Sequence, residues 1–149
     1  MIADKLNAGM RLPKNVKWAD FDVSLVSFVS LSDAAMATRQ SLAGPSPVLV
    51  VNDQPIIVCG IVKISDRVGE AWSMINHDLA KQHPLLLTRA VRKAIDITTI
   101  LHGLHRVQMV VHSQQNEAIR WAFALGFIVE SLMIKYGDDQ SDHFMFVRL

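Results

Sequence analysis

Between Pro84 and His102 the apolar positions Leu87, Ala90, Val91, Ala94, Ile95, Thr98 and Leu101 recur at helical spacing, and this stripe restricts the fold more than any other feature. A helix with one apolar stripe has to bury it against another element. Pro84 suits its first turn and Gly103 its C-terminal cap, so both ends are marked. The partners are short β-branched runs on either side. Val48–Val51 and Ile56–Ile64 read as strands joined by a tight Asn52-Asp53 turn. Asp66-Arg67-Val68-Gly69 turns again, and Glu70–Ile75 closes an antiparallel meander.

Beyond Gly103, Arg106–Val111 reads as a strand. Ser113 is expected to cap a helix running to about Leu125, which Gly126 ends. Phe127–Lys135 and Phe144–Arg148 read as two last strands around a Gly137-Asp138-Asp139 turn. The order β-β-β-α-β-α-β-β predicts an α/β fold: a mixed, mainly antiparallel central sheet with helices on both faces. Two prolines and a glycine punctuate the chain at Ala43-Gly44-Pro45-Ser46-Pro47. Before that point residues 2–9 read as a short helix closed by Gly9. Residues 22–31 have mixed period, and strand and helix both stay open there. Asp33–Leu42 reads as a helix with Ser32 as its cap.

A chain of 149 residues, half of them apolar, suits one domain over 1–149 with its own core. The single cysteine, Cys59, sits among apolar neighbours, and a buried, inert thiol is expected rather than a nucleophile. One unpaired cysteine fits a reducing, cytoplasmic setting. Fifteen basic against fourteen acidic residues leave no electrostatic footprint for nucleic acid. No apolar run approaches the roughly 20 residues needed to cross a bilayer, so no membrane partner is expected. The first residues lack the basic and apolar regions of a secretion signal. His102 and His105 are separated by the helix-ending Gly103 and lack clustered carboxylates or cysteines, so no metal is expected.

The segment Gln115-Asn116-Glu117-Ala118-Ile119-Arg120-Trp121-Ala122-Phe123-Ala124-Leu125-Gly126-Phe127 carries a family likeness. It resembles the C-terminal motif of the GNAT superfamily of acetyl-CoA-dependent N-acetyltransferases, a helix that begins at Asn and ends in Leu-Gly-Phe. Glu130 and the Phe144–Val147 strand sit where that family places its last hairpin. With the meander and long helix, the resemblance covers residues 47–149. A narrower likeness is to small GNAT-like proteins of tailed phages, which implies a GNAT fold that works by protein binding, in a virion or against a host protein.

The superfamily resemblance implies an N-acyltransferase acting by direct transfer on an amine of a protein or small molecule. It places acetyl-CoA in a V-shaped gap between the fourth and fifth strands, Glu70–Ile75 and Arg106–Val111 if an N-terminal strand precedes them. The pyrophosphate would rest on N–H groups at the start of the following helix. Ile75, Lys81, Arg89, Gln115 and Asn116 are the cofactor-binding candidates implied. The region His77–Arg89 that matches the family's phosphate loop contains no glycine, and Asp78 adds an anion there. Lys81 and Arg89 supply compensating charge, whereas Arg92 and Lys93 read as a solvated helix face. Glu70, His77 and His112, at the ends of the two strands, are the candidates for accepting a proton from the amine. The family's thiolate-protonating tyrosine would align with Ala122, and the only tyrosine, Tyr136, stands at the end of the next strand, away from that position. The partners expected are acetyl-CoA and an amine acceptor, or a protein, with an oligomer also open. Trp18, Trp72 and Trp121 read as core or interface anchors.

Overall fold

The computed structural model describes residues 1–149. Its strands are β1 (Val16–Ala19), β2 (Val48–Val51), β3 (Gln54–Ser65), β4 (Val68–Ile75), β5 (Arg106–His112), β6 (Ile128–Met133) and β7 (His143–Arg148). Its helices are α1 (Ile2–Gly9), α2 (Leu31–Ala43), α3 (His77–Ala80), α4 (Pro84–Leu101) and α5 (Asn116–Ala124). All seven strands join one sheet in the order β1-β2-β3-β4-β5-β7-β6. Every neighbouring pair is antiparallel except β4 and β5. The mixed, mainly antiparallel α/β sheet expected from the element order is the one observed.

Local chemistry explains the turns. Asn52 and Asp53 both have positive φ (51° and 62°), the geometry of the tightest hairpins, so the two residues reverse β2 into β3. Gly103 and Gly126 end α4 and α5 in the left-handed region, where a side chain is costly. Pro84 occupies the first turn of α4. The stripe Leu87, Ala90, Val91, Ala94, Ile95 and Thr98 is buried against the sheet. Each of its larger apolar side chains contributes about 1.5–3 kcal/mol by leaving water.

The helices divide between the two faces. α1, α4 and α5 cover one, burying Leu6, Trp18, Leu49, Ile57, Val107, Leu125, Phe127 and Phe146. A short 3₁₀ turn (Val23–Val26) and α2 cover the other, around Val26, Val48, Val50 and Val58.

The N-terminal third differs from the reading of its residues. Val16–Ala19 is an edge strand whose four residues are too few to show a period. Asn7 of α1 clamps it, accepting from the Trp18 N–H at 2.8 Å and donating to the Trp18 carbonyl at 2.9 Å. That pairing shields an otherwise open edge. Residues 22–31 are mostly the 3₁₀ turn, opened by Asp22, whose carboxylate accepts from the Ser24 N–H at 3.0 Å. The cap of α2 is Ser30, not Ser32. The Ser30 hydroxyl accepts from the Asp33 N–H at 3.2 Å, while Ser32 spends its own hydroxyl on Ser30. Gly9 lies inside the last turn of α1, which ends when Met10 becomes extended. Ser113 does not cap α5 either. Its N–H donates to the Asp142 carbonyl at 3.0 Å, and a turn carries the chain to Gln115 before the helix starts.

Candidate functional site

β4 and β5 run parallel, but their ladder holds only Val68–Arg106, Gly69–Val107 and Glu70–Gln108. Beyond those pairs the strands part. Ala71–Ile75 stays paired to β3 and Met109–His112 to β7, so each keeps its place while the edges facing each other share no pair. The Gln108 side-chain amide donates to Glu70 Oε1 at 3.3 Å across the last closed rung.

A cavity of about 800 Å³ fills the parting. From the α4/α5 side it is lined by Val91, Ala94, Ile95 and Thr98 of α4, Ala118 and Trp121 of α5, and Met109 and Val111. Trp121 Nε1 donates to Thr88 Oγ1 at 3.1 Å, tying the two helices together along this side. On the other face the lining is Glu70, Trp72, Val110, His112 and His143, with Pro45, Pro47, Gly60, Tyr136, Gly137 and Asp138 around them. The space therefore crosses the sheet and has a lining on both faces. No lysine or arginine lines it.

Two features of the wall restrict its chemistry. Cys59 lines the cavity, yet burial pushes its thiol up to about 12, so it is protonated at neutral pH and no nucleophile. The indole N–H of Trp72 is buried without a hydrogen-bond partner.

The expected site residues separate on this geometry. Glu70, His112 and Gln115 meet at the cavity. Ile75 is half-buried and packs on the main core at the end of β4. His77 and Lys81 are exposed at the two ends of α3. Asn116 is exposed as the first residue of α5. Arg89 lies on another surface, in a second cavity of about 780 Å³ that it shares with Lys93 and residues 8–13 at the end of α1 and beyond it.

Three cavity residues escape a linear reading. His143 is the cross-strand partner of His112, and their rings meet edge to face with centroids 4.9 Å apart. Tyr136 follows at 5.5 Å from His143. The only tyrosine, which stands apart from the position of Ala122 in the sequence, lines the cavity. Trp72 reads as simple core but also forms cavity wall. The one available signal was the alternation in β5 and β7, which puts His112 and His143 on one face once the two strands are paired.

No family model matches the chain, and no curated protein matches it in sequence. Solved structures do match its fold. Ard1 from Thermoplasma volcanium superposes with a TM-score of 0.73 at 13% identity, covering 90% of this chain and 97% of that one. A GNAT-family acetyltransferase from Bacillus anthracis gives 0.73 at 12% identity, with 91% and 95% covered. YncA, a putative acetyltransferase from Salmonella typhimurium solved with its cofactor acetyl-CoA, gives 0.68 at 16% identity, with 91% and 94% covered. The fold of this chain is that of the GNAT acetyltransferases. At these identities the likeness is one of fold.

Proposed function

We propose that the protein is an acyltransferase that moves an acetyl group from acetyl-CoA directly to an amine. The observation that carries this reading is the parting of β4 and β5 beyond Glu70 and Gln108, around a cavity lined on both faces of the sheet. Two substrates that approach from opposite faces can meet there without a covalent enzyme intermediate, which suits a wall whose only thiol is inert.

The residues fit the cofactor on two counts. The facing edges Ala71–Ile75 and Met109–His112 offer peptide groups with no partner across the gap, suited to a slender chain that carries amides. Neither α4 nor α5 has a side chain capping its N-terminus, so first-turn N–H groups such as those of Leu85 and Leu86 remain open to an anion. Lys81 adds charge in the segment between α3 and α4, and Gln115 a polar group at the cavity. When bound, acetyl-CoA supplies an acyl group already activated as a thioester. The protein's own part is to orient it, exclude water from the gap and take up the proton that the amine releases.

Titration calorimetry with acetyl-CoA and CoA tests this. Micromolar binding that Ala118→Trp abolishes, with thermal stability kept, supports the reading. Absence of binding at millimolar ligand sinks it.

A second reading, protein binding without catalysis, is supported by β6. This strand forms the free sheet edge, and Ile128, Val129 and Leu132 along it are exposed together with the nearby Ile134 and Phe123. It gains ground if neither CoA form binds.

A further inference from the structure

The paired rings of His112 and His143 differ in which nitrogen carries the proton, and the backbone decides it. His112 Nδ1 accepts from the Gln114 N–H at 3.1 Å, so in the neutral ring the proton must sit on Nε2. His143 Nδ1 lies 3.3 Å from the Ser141 carbonyl oxygen. A carbonyl only accepts, so His143 Nδ1 carries the proton and Nε2 keeps its lone pair. No protein group engages Nε2 of either ring. One ring therefore presents a donor and the other an acceptor, side by side on the cavity face opposite α4 and α5.

The geometry points to His143 as the base that deprotonates the acceptor, and to an alkylammonium as the acceptor class. This rests on the acyltransfer reading. The cavity lining includes the carboxylates Glu70 and Asp138 and no lysine or arginine, which favours a cationic substrate over an anionic one. The rings of His112 and Tyr136 meet that of His143, and Asp139 Oδ1 approaches the same point beside Gly137 as the His143 ring; Glu70 and Asp138 line the same cavity, and Asp142 and Lys135 belong to the β6–β7 connection. Glu70 is the rival base. It already accepts from Gln108, whereas no protein group engages His143 Nε2.

The step balances as follows. One ammonium proton passes to His143 Nε2. The freed lone pair forms the N–C bond to the thioester carbonyl as the C–S bond breaks, and the electron pair leaves on sulfur. A second nitrogen proton goes to that sulfur, giving the thiol. The His143 imidazolium returns its proton to water. His112, whose Nε2–H no protein group engages, is the positioning residue that donates a hydrogen bond to the acceptor.

Two measurements on the full chain test the assignment. Long-range ¹H–¹⁵N spectra of the histidine side chains above pH 8 read the tautomers without any substrate. His143 is expected as Nδ1–H and His112 as Nε2–H; an Nε2–H tautomer for His143 overturns the proposal, because the basic atom would already be occupied. The second uses His143→Asn, whose amide N–H replaces Nδ1–H toward Ser141 but which has no Nε2. With methylamine as the probe acceptor, kcat/KM is expected to fall about 10²–10⁴-fold and its acid limb to vanish, with acetyl-CoA affinity unchanged. Glu70→Gln is expected to retain that limb. An unaltered rate in His143→Asn, or a wild-type protein that binds acetyl-CoA and leaves methylamine untouched, overturns the role of His143 and leaves cofactor binding standing. Failure of acetyl-CoA to bind at all removes the acyltransfer reading and the role with it, whatever the tautomers.

Discussion

Gly60 and Trp72 are cross-strand partners, and the Trp72 indole nitrogen stands 2.8 Å from the point that a Cβ on Gly60 would occupy. The Pro45 carbonyl oxygen lies 2.6 Å from the same point. One glycine thus lets a loop and an indole converge on β3, which places Trp72 at the cavity wall. The backbone of Gly60 is in an ordinary region, so crowding alone decides what a side chain would do there.

Gly60→Ala is expected to cost about 1–3 kcal/mol, because an atom is forced into occupied space and the Pro45 carbonyl belongs to backbone that gives little. Urea denaturation followed by tryptophan fluorescence reads this. A midpoint equal to the wild type would mean that the segment around Pro45 moves freely.

The Trp121–Thr88 hydrogen bond joins α5 to α4 beside the cavity. Trp121→Phe keeps most of the ring and loses the donor, at an expected cost of about 0.5–1.5 kcal/mol. Thr88→Val should cost a similar amount. The double variant should be less destabilised than the sum of the two, since both remove one bond. Strict additivity in thermal unfolding would show that the bond contributes nothing.

Cys59 is buried and its thiol is pushed up to about 12 by loss of solvation. Dithiobis-nitrobenzoate at pH 8 should leave the native protein unlabelled and react at once in 6 M guanidinium. Fast native labelling would mean that the sheet opens at β3 far more readily than its packing implies.

Arg106 reaches across β7 to Glu130, the unpaired residue of the β6 bulge, in a two-pronged contact of 2.6 and 2.7 Å. The side-chain hydrogen bonds from Arg106 hold the Glu130 carboxyl below its ordinary value. A depressed carboxyl stabilises the fold above the usual carboxylate range, and that contribution fades as pH falls through the lowered value. The pair is exposed to solvent, so Glu130→Gln should shift Tm only slightly at pH 7 and low salt. That difference should vanish in molar salt and at strongly acidic pH. A shift that survives molar salt would point to a role other than the ion pair.

Much of this protein is legible in short stretches of sequence. The stripe of α4, the turn at Asn52-Asp53 and the left-handed glycines at 103 and 126 depend on neighbours a few residues apart, and each was readable for that reason. Val16–Ala19 was not, because four residues show no period and its clamp, Asn7, belongs to another element. The cap of α2 was placed two residues late, since Ser30 and Ser32 have the same chemistry and only the backbone turn chooses between them. Helical rotation puts Arg89 on the side of α4 that meets residues 8–13, while Val91, Ala94, Ile95 and Thr98 line the gap, a division that depends on how α4 packs.

What the sequence by itself determined was α1, α2 and, from β2 onward, every element but α3 with their order, because propensity and turn chemistry act over a few residues. The tertiary structure alone decided where the sheet stops closing and which side chains meet there. Beyond Glu70 and Gln108, β4 stays paired only to β3, to which a two-residue turn joins it, and β5 only to β7, which follows after α5 and β6, so the parting lies where two separately paired groups of strands meet. His112 and His143 lie far apart in sequence and touch only when β5 and β7 pair in this register, with their protons assigned by the Gln114 N–H and the Ser141 carbonyl. Long-range pairing is a property of the whole sheet, and no local pattern encodes it.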